Sequence, residues 1–102
     1  MAARDELRKL INENRYVSKV MDDLEEILRG AVRKKTVHDG IKDFYVPEQK
    51  AEKYDGLLIR LGLVYPYGLG VHSIGYLLRK RGIDLGRRFL EESRRTSSSF
   101  RQ

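Results

Sequence analysis

The sequence of 102 residues contains no cysteine and no tryptophan, only two prolines, and no long apolar run. Without cysteine the chain can form neither a disulfide framework nor a thiolate metal site, so nothing in it argues for secretion. No apolar stretch approaches the roughly 20 residues that a helix needs to cross a bilayer, and the N-terminus, charged from Arg4, is unlike a signal peptide. We therefore expect a cytoplasmic protein with a single domain and no membrane partner.

Charged residues are abundant and unevenly distributed. The 21 basic residues outnumber the 15 acidic ones, which gives a formal net charge of +6. Residues 1–28 hold five basic and seven acidic side chains, residues 29–78 hold eight and five, and residues 79–102 hold eight and three. A basic C-terminal quarter favours polyanionic partners such as nucleic acid, although a solvated surface alone also explains it.

Apolar residues recur at helical spacing over residues 7–31, in a seam with a seven-residue repeat whose one polar member is Asn14. The pattern predicts one long helix ending near residue 33, or two helices that meet near residues 12–15. An asparagine in such a seam can fix the register of a two-stranded coil, so residues 1–20 are a candidate dimerisation helix and we expect a homodimer. A helix break at Asn14 and a seam inside the monomer are the alternatives.

The middle of the chain predicts two further helices. The hydroxyl of Thr36 can cap a short helix over residues 36–45. A longer helix is predicted over residues 47–61, because Pro47 suits a first helical turn and Gly62 is placed to end the helix. Its inner face would consist of Ala51, Tyr54, Leu58 and Leu61.

The period then changes to that of strands. The segments "LVYP" and "IGYLL" are predicted strands, and the glycine-rich "YGLGVHS" between them has the composition of a hairpin loop. Gly82 would turn the chain into a last helix, and residues 94–102 would form a basic flexible tail. The predicted fold is therefore mainly α with a small β-hairpin.

The glycines around this hairpin do not form a nucleotide-binding motif. Gly70 and Gly75 have the spacing of a P-loop, but Tyr76 and Leu77 stand where a lysine and a hydroxyl residue are required. In the dinucleotide-binding pattern, Ser73 occupies the position of the third glycine. Nucleotide binding is therefore not predicted.

Enzymatic residues are equally sparse. His38 and His72 fall in different predicted elements and have no cysteine to complete a metal set. The serines at 97–99 lie in the predicted tail, a poor place to hold a nucleophile against a base. We predict no catalytic activity, no metal or cofactor, and no small-molecule substrate.

The stretch "YDGLLIRLGLV…IGYLLRKRGIDL" resembles winged helix-turn-helix domains, especially those of compact archaeal and viral regulators. Such domains carry a helix ending in Leu-x-x-Leu-Gly-Leu-Val, a hairpin wing, and then Tyr-x-Leu-x-x-x-Gly-x-x-Leu. The corresponding residues here are Leu58, Leu61, Gly62, Leu63, Val64, Tyr76, Leu78, Gly82 and Leu85. The likeness is clear over residues 51–92, weaker back to Thr36, and hardly touches residues 1–20; Arg79 departs from it, because a threonine is frequent there. It implies a winged helix-turn-helix domain over residues 21–93.

By this resemblance the protein would bind double-stranded DNA and act as a transcriptional regulator. The helix over residues 47–61 would be the recognition helix in the major groove, and the hairpin and basic residues would contact the backbone. The implied DNA-binding residues are Lys34, Lys35, Thr36, Gln49, Lys50, Lys53, Tyr67, His72, Arg79, Lys80 and Arg81.

Acidic residues in the same predicted helix oppose this interpretation. Glu48, Glu52 and Asp55 make the segment over residues 47–61 net neutral, and a carboxylate that faces a phosphate is repelled. The alternative function is a winged-helix module that binds another protein instead of DNA. DNA binding predicts a continuous positive surface over the helix and the wing, whereas protein docking predicts an exposed apolar patch there.

Overall fold

The computed structural model of the chain describes residues 2–13, 20–33, 44–68 and 74–100. Within these residues the chain forms five helices and a three-stranded antiparallel sheet, which confirms a mainly α fold carrying a small β-hairpin. The helices are α1 (Ala3–Glu13), α2 (Met21–Arg33), α3 (Glu48–Ala51), α4 (Asp55–Arg60) and α5 (Lys80–Phe100). The strands are β1 (Tyr45–Pro47), β2 (Val64–Gly68) and β3 (Ile74–Leu78).

The apolar seam of the N-terminal third lies inside the single chain. Leu7 and Ile11 of α1 and Leu24 and Leu28 of α2 each have 0% of their surface exposed, and all four belong to one core cluster. The described residues thus contain two helices packed on each other, and Asn14 lies outside those residues. These four side chains are covered within the chain and are not available to a homodimer, which stays a prediction.

Ion pairs at the rim of the core join α1 to both of its neighbours. The guanidinium of Arg4 contacts the carboxylate of Asp22 on α2 at 2.9 Å, and Arg88 on α5 binds Glu6. Exposed pairs of this kind contribute less than about 1 kcal/mol each. The apolar contacts therefore dominate the attachment of α1, and the pairs select its orientation.

The sheet has strand order β1-β3-β2, with both neighbours antiparallel to β3. Val46, Val64 and Leu78 point to one face, where they are at most 5% exposed and join the helices in the core cluster. We call this the inner face. Alternation along the strands places Tyr45, Tyr65 and Leu77 on the opposite, outer face. The molecule therefore has two layers, with the helices on one side of the sheet.

The helix predicted over residues 36–45 cannot reach its predicted end. Phe44 has φ of +70°, and Tyr45–Pro47 form strand β1, so a third strand is present where helix was expected. Val46 is buried on the inner face, and this burial outweighs the local pattern. Pro47 is tolerated because β1 is an edge strand, where a missing N–H breaks no ladder. Residues 34–43 lie outside the described residues.

The single helix predicted over residues 47–61 is wrong. The chain instead forms the four-residue α3, a turn over residues 52–54, and the six-residue α4. Tyr54 has the non-helical angles φ −127° and ψ 9°, and its hydroxyl is held by Asp23 on α2. The break in the helix therefore coincides with a tertiary contact at Tyr54. The predicted inner residues Ala51, Leu58 and Leu61 are buried as expected, and Tyr54 packs against them half-buried.

The prediction that Gly62 ends the helix is confirmed. Gly62 has φ of +73°, a left-handed conformation that glycine adopts without the steric cost of a Cβ. Its N–H donates to the carbonyl of Ile59 at 3.0 Å, and the N–H of Leu63 donates to the carbonyl of Leu58 at 3.0 Å. These two bonds form a Schellman motif, and Leu58 and Leu63 are both buried beside it. The chain is thereby directed from α4 into β2.

The C-terminal helix differs from its prediction at both ends. Gly82 does not form a turn but lies buried inside α5, where a Cβ would clash with the carbonyl oxygen of Leu63. Glycine is needed there because the first turn of α5 closely approaches the backbone of Leu63. The helix also continues to Phe100, through residues assigned to a flexible tail, and Glu91 and Arg95 pair along it at 2.7 Å. Among the described residues, no helix has the length and apolar character needed to span a membrane.

Candidate nucleic-acid interface

Helices α3 and α4 are joined by a tight turn and are followed directly by the hairpin of β2 and β3. The N–H of Tyr54 donates to the carbonyl of Ala51 at 2.8 Å, which closes the turn over residues 52–54. Two helices joined by a turn of three to four residues are compatible with a helix-turn-helix, in which the second helix is the one that enters a groove. The second helix here is α4, so the candidate recognition helix begins at Asp55 and not at Pro47.

Two tyrosine hydroxyls fix the position of α4 and its turn. Tyr54 donates a hydrogen bond to Asp23 on α2, and Tyr76 on β3 donates to Oδ2 of Asp55 at 3.1 Å. The bond to Asp23 raises the pKa of Tyr54, and partial burial together with the bond to Asp55 raises the pKa of Tyr76. The Asp55 carboxylate, which counts against DNA binding in the sequence, is therefore engaged within the protein.

These tyrosines predict a loss of stability in alkaline solution. A raised pKa means that the folded state favours the protonated phenol, so the stabilisation is complete below pH 10.0 and is lost as the pH rises through the raised pKa values. We expect the free energy of unfolding, measured with urea, to be retained up to about pH 10 and to fall as the pH rises above that value. The double variant Tyr54→Phe, Tyr76→Phe should lose less over the same range. An equal loss in the variant would contradict this origin, since lysines titrate in both proteins.

Three of the predicted DNA-binding residues lie before α4. Gln49 and Lys50 are exposed on α3, and Lys53 is exposed in the turn that follows. The sequence placed all three in the predicted recognition helix, but none of them lies in α4. All three precede the N-terminal end of α4 in the chain, and the two lysines are cationic.

Three more predicted residues gather at the opposite end of α4. The backbone N–H of Arg79 donates to the carbonyl of Leu63 at 2.8 Å, and Nη1 of Arg81 donates to the carbonyl of Leu61 at 3.4 Å. Lys80 between them is exposed and begins α5. Arg81 thus also complements the negative C-terminal end of the α4 dipole.

The predicted residues therefore form two groups and not one continuous cluster. Pro47, just before α3, pairs with Gly75 on β3, and Arg79 lies four residues further along the chain. Four residues of extended chain correspond to about 13 Å. Tyr67 is half-buried on β2, on the outer face of the sheet. Lys34, Lys35, Thr36 and His72 lie outside the described residues.

The structure also exposes residues of α4 that were not assigned to DNA. Gly56, Ile59 and Arg60 form the solvent-facing side of the helix, and Ile59 is 43% exposed. The sequence contains a signal for this face, because these three positions are spaced i, i+3, i+4 opposite the buried Leu58. Ile59 was assigned neither to the buried face nor to the DNA contacts.

Comparison of the chain with protein-family models, with characterised proteins and with solved structures finds no match. The function is therefore inferred from the arrangement of side chains around α4. That arrangement is a short helix with a small exposed face, held at a fixed angle by Tyr54 and Tyr76 and flanked by cations.

Proposed function

We propose that this protein binds double-stranded DNA as a winged helix-turn-helix regulator, with α4 in the major groove and the β2–β3 hairpin as the wing. The observation that carries the proposal is that exposed cations lie at both ends of α4. A helix of six residues is about 9 Å long, and the major groove of B-DNA is about 12 Å wide. Cations at both ends of such a helix are spaced to reach the phosphates on the two sides of the groove.

Each group of cations has a separate part in this binding mode. Lys50 and Lys53 at one end and Lys80 and Arg81 at the other supply the sequence-independent attraction to phosphates. Between them, the exposed Ile59 can contact a thymine methyl group, which is apolar contact of the kind that discriminates bases in the major groove.

The acidic residues weaken this surface less than the sequence alone indicates. Asp55 accepts hydrogen bonds from the hydroxyl of Tyr76 and, at 2.7 Å, from the N–H of Gly56. Glu48 on α3 and Glu52 in the turn that follows are exposed, and their carboxylates repel phosphates. Binding should therefore be moderate in strength and sensitive to salt.

A module that binds proteins is less well supported. Among the residues that the structure describes, Ile59 is the one large hydrophobic side chain classed as exposed. A docking surface of that kind would present a contiguous apolar patch of several hundred Å². A single exposed isoleucine between cations fits a groove of DNA better.

The proposal is tested by fluorescence anisotropy of a labelled random-sequence duplex titrated with the protein across a salt series. We expect the logarithm of the association constant to fall linearly with the logarithm of the salt concentration. In the double variant Lys50→Ala, Lys53→Ala the slope should decrease by about 0.9 for each phosphate contact removed, with weaker binding at low salt.

The matched control removes the same charge from the C-terminal half of α5. Arg94 and Arg95 are exposed there, thirteen and fourteen residues beyond Arg81, or about 20 Å along the helix, so the double variant Arg94→Ala, Arg95→Ala should retain the wild-type slope. If the control and the variant Lys50→Ala, Lys53→Ala weaken binding equally, then the net charge of the protein and not the cations beside α4 is responsible. Absence of duplex binding by the wild type at low salt would refute the proposal.

A further inference from the structure

The outer face of the sheet carries a cluster of tyrosines. Leu77 on the central strand pairs with Tyr45 on one side and with Tyr65 on the other. Two residues earlier on the same strand, Gly75 pairs with Pro47 of β1 and with Tyr67 of β2. We call these residues the tyrosine face: Tyr45, Tyr65, Tyr67, Gly75 and Leu77.

The tyrosine face is separate from the hydrophobic core. Leu77 is only 3% exposed, yet it does not belong to the core cluster, which includes buried side chains from every described helix. Its neighbours in the register, Tyr45 and Tyr65, flank it on the two adjacent strands. Both tyrosines are half-buried, so each covers the sheet and still presents surface to solvent.

The absence of a side chain at Gly75 determines how Tyr45 lies. A Cβ on Gly75 would come within 2.5 Å of Cζ of Tyr45, so the phenol ring crosses directly over the backbone of β3. The Tyr45 side chain is half-buried, so part of it is also exposed to solvent. Burial, followed by the nearby Glu48 carboxylate, raises the pKa of the Tyr45 phenol, so the ring is neutral at physiological pH.

Cations border these rings. The guanidinium of Arg79 lies over the ring of Tyr65, 5.3 Å from its centroid. Lys80 follows at once and is exposed. Flat aromatic rings beside exposed cations are the combination by which proteins hold unpaired nucleotides, since bases stack on the rings and the cations attract phosphates.

We propose that the tyrosine face binds single-stranded nucleic acid, with a base stacked on Tyr45 and the phosphate backbone beside Arg79 and Lys80. Tyr45 and Tyr65 stand on either side of β3, two strand spacings or about 10 Å apart. That distance suits bases that are splayed apart and not bases stacked on one another. Duplex bases are already paired and stacked, so this site takes unpaired strands, and Lys80 is the residue that it shares with the α4 surface.

The site is tested with labelled oligothymidine, using anisotropy and the quenching of tyrosine fluorescence, which no tryptophan obscures in this chain. The variant Tyr45→Leu keeps a cover over Gly75 but removes the aromatic face. We expect it to bind oligothymidine about fivefold to a hundredfold more weakly, the effect of losing one stacked base. The variant Tyr45→Phe retains the ring and should bind as the wild type does. Binding of oligouridine in a parallel titration identifies RNA as the preferred strand if it is the tighter.

The duplex measurement separates this site from the α4 surface. Tyr45→Leu should leave affinity for the labelled duplex unchanged, whereas Lys50→Ala, Lys53→Ala should weaken the duplex and leave oligothymidine binding intact. The inference is overturned if the wild type does not bind oligothymidine, if Tyr45→Leu binds it normally, or if Tyr45→Phe loses as much affinity as Tyr45→Leu. It is also overturned if Tyr45→Leu loses duplex and oligothymidine binding together with a lowered melting temperature, which would indicate a structural role.

Discussion

Replacement of Gly86 by alanine is expected to destabilise the folded chain by about 1–3 kcal/mol, the usual cost of overpacking a close contact. A Cβ at this position would lie 2.7 Å from the carbonyl oxygen of Leu28 and 2.8 Å from Cγ1 of Val32. Both neighbours belong to α2, and the oxygen is backbone, so relief requires α5 to move away from α2. Urea unfolding followed by circular dichroism measures the loss as a lower midpoint at constant slope.

The control for this prediction lies on the opposing helix. Gly30 is in the interior of α2, and a Cβ built there meets nothing within 4 Å. Gly30→Ala should therefore stabilise the protein by about 0.5–1 kcal/mol through helix propensity. The two variants make the same chemical change with opposite expected signs. A gain in stability for Gly86→Ala would show that the helices are farther apart than described.

Replacement of Leu58 by alanine should destabilise the folded chain more than Gly86→Ala does, by about 2–5 kcal/mol. Leu58 is 0% exposed, lies on α4 and packs beside Leu63 at the helix end. Its removal leaves a cavity directly beneath the candidate recognition helix. We therefore expect both a lower unfolding midpoint and weaker duplex binding, because α4 loses the contact that fixes it to the core.

The neighbouring position supplies the control. Ile59 is 43% exposed on the same helix, so Ile59→Ala should change the free energy of unfolding by no more than about 0.5 kcal/mol. Ile59→Ala should weaken duplex binding without a comparable loss in the free energy of unfolding, as expected for a side chain that contacts DNA. Equal destabilisation by the two variants would mean that α4 is rotated relative to the orientation described.

Several elements were predictable from local pattern alone. Strand β3 has the bounds that "IGYLL" indicates, because its alternation and its glycine border are both in the sequence. The end of α4 at Gly62 follows from a glycine placed after an apolar helical face. The separation of α1 from α2 remained ambiguous, since a seam of apolar residues fits a long helix as well as two shorter ones.

Other elements depended on partners distant in the sequence. Helical spacing over residues 47–61 gave no sign of the break at Tyr54, where the hydroxyl binds Asp23 across 31 residues. Strand β1 exists because Val46 is buried opposite Tyr76 of β3. Gly82 was interpreted as a turn, whereas the structure uses it for a contact with the carbonyl of Leu63. Such contacts have no local signature.

The candidate site also has features that the sequence predicted and features that only the tertiary structure shows. Composition alone indicated a polyanion as partner, and Gln49, Lys50, Lys53, Arg79, Lys80 and Arg81 are exposed as that function requires. Their division between the two ends of α4 was not predictable, because it depends on where the helix begins and on which carbonyl Arg81 binds. The tyrosine face was equally hidden, since it requires the register of three strands.

The sequence by itself determined the mainly helical fold, the hairpin, the burial of Ala51, Leu58 and Leu61, and the basic composition; the burial of Leu57 on α4 was missed. These depend on periodicity, glycine positions and charge, which are properties of residues close together in the chain. The tertiary structure alone decided that α1 packs within the monomer, that the predicted recognition helix is divided at Tyr54, and that three tyrosines share one face of the sheet. The physical reason is that burial and strand pairing join distant residues, and their energies exceed the local preferences that a sequence pattern records.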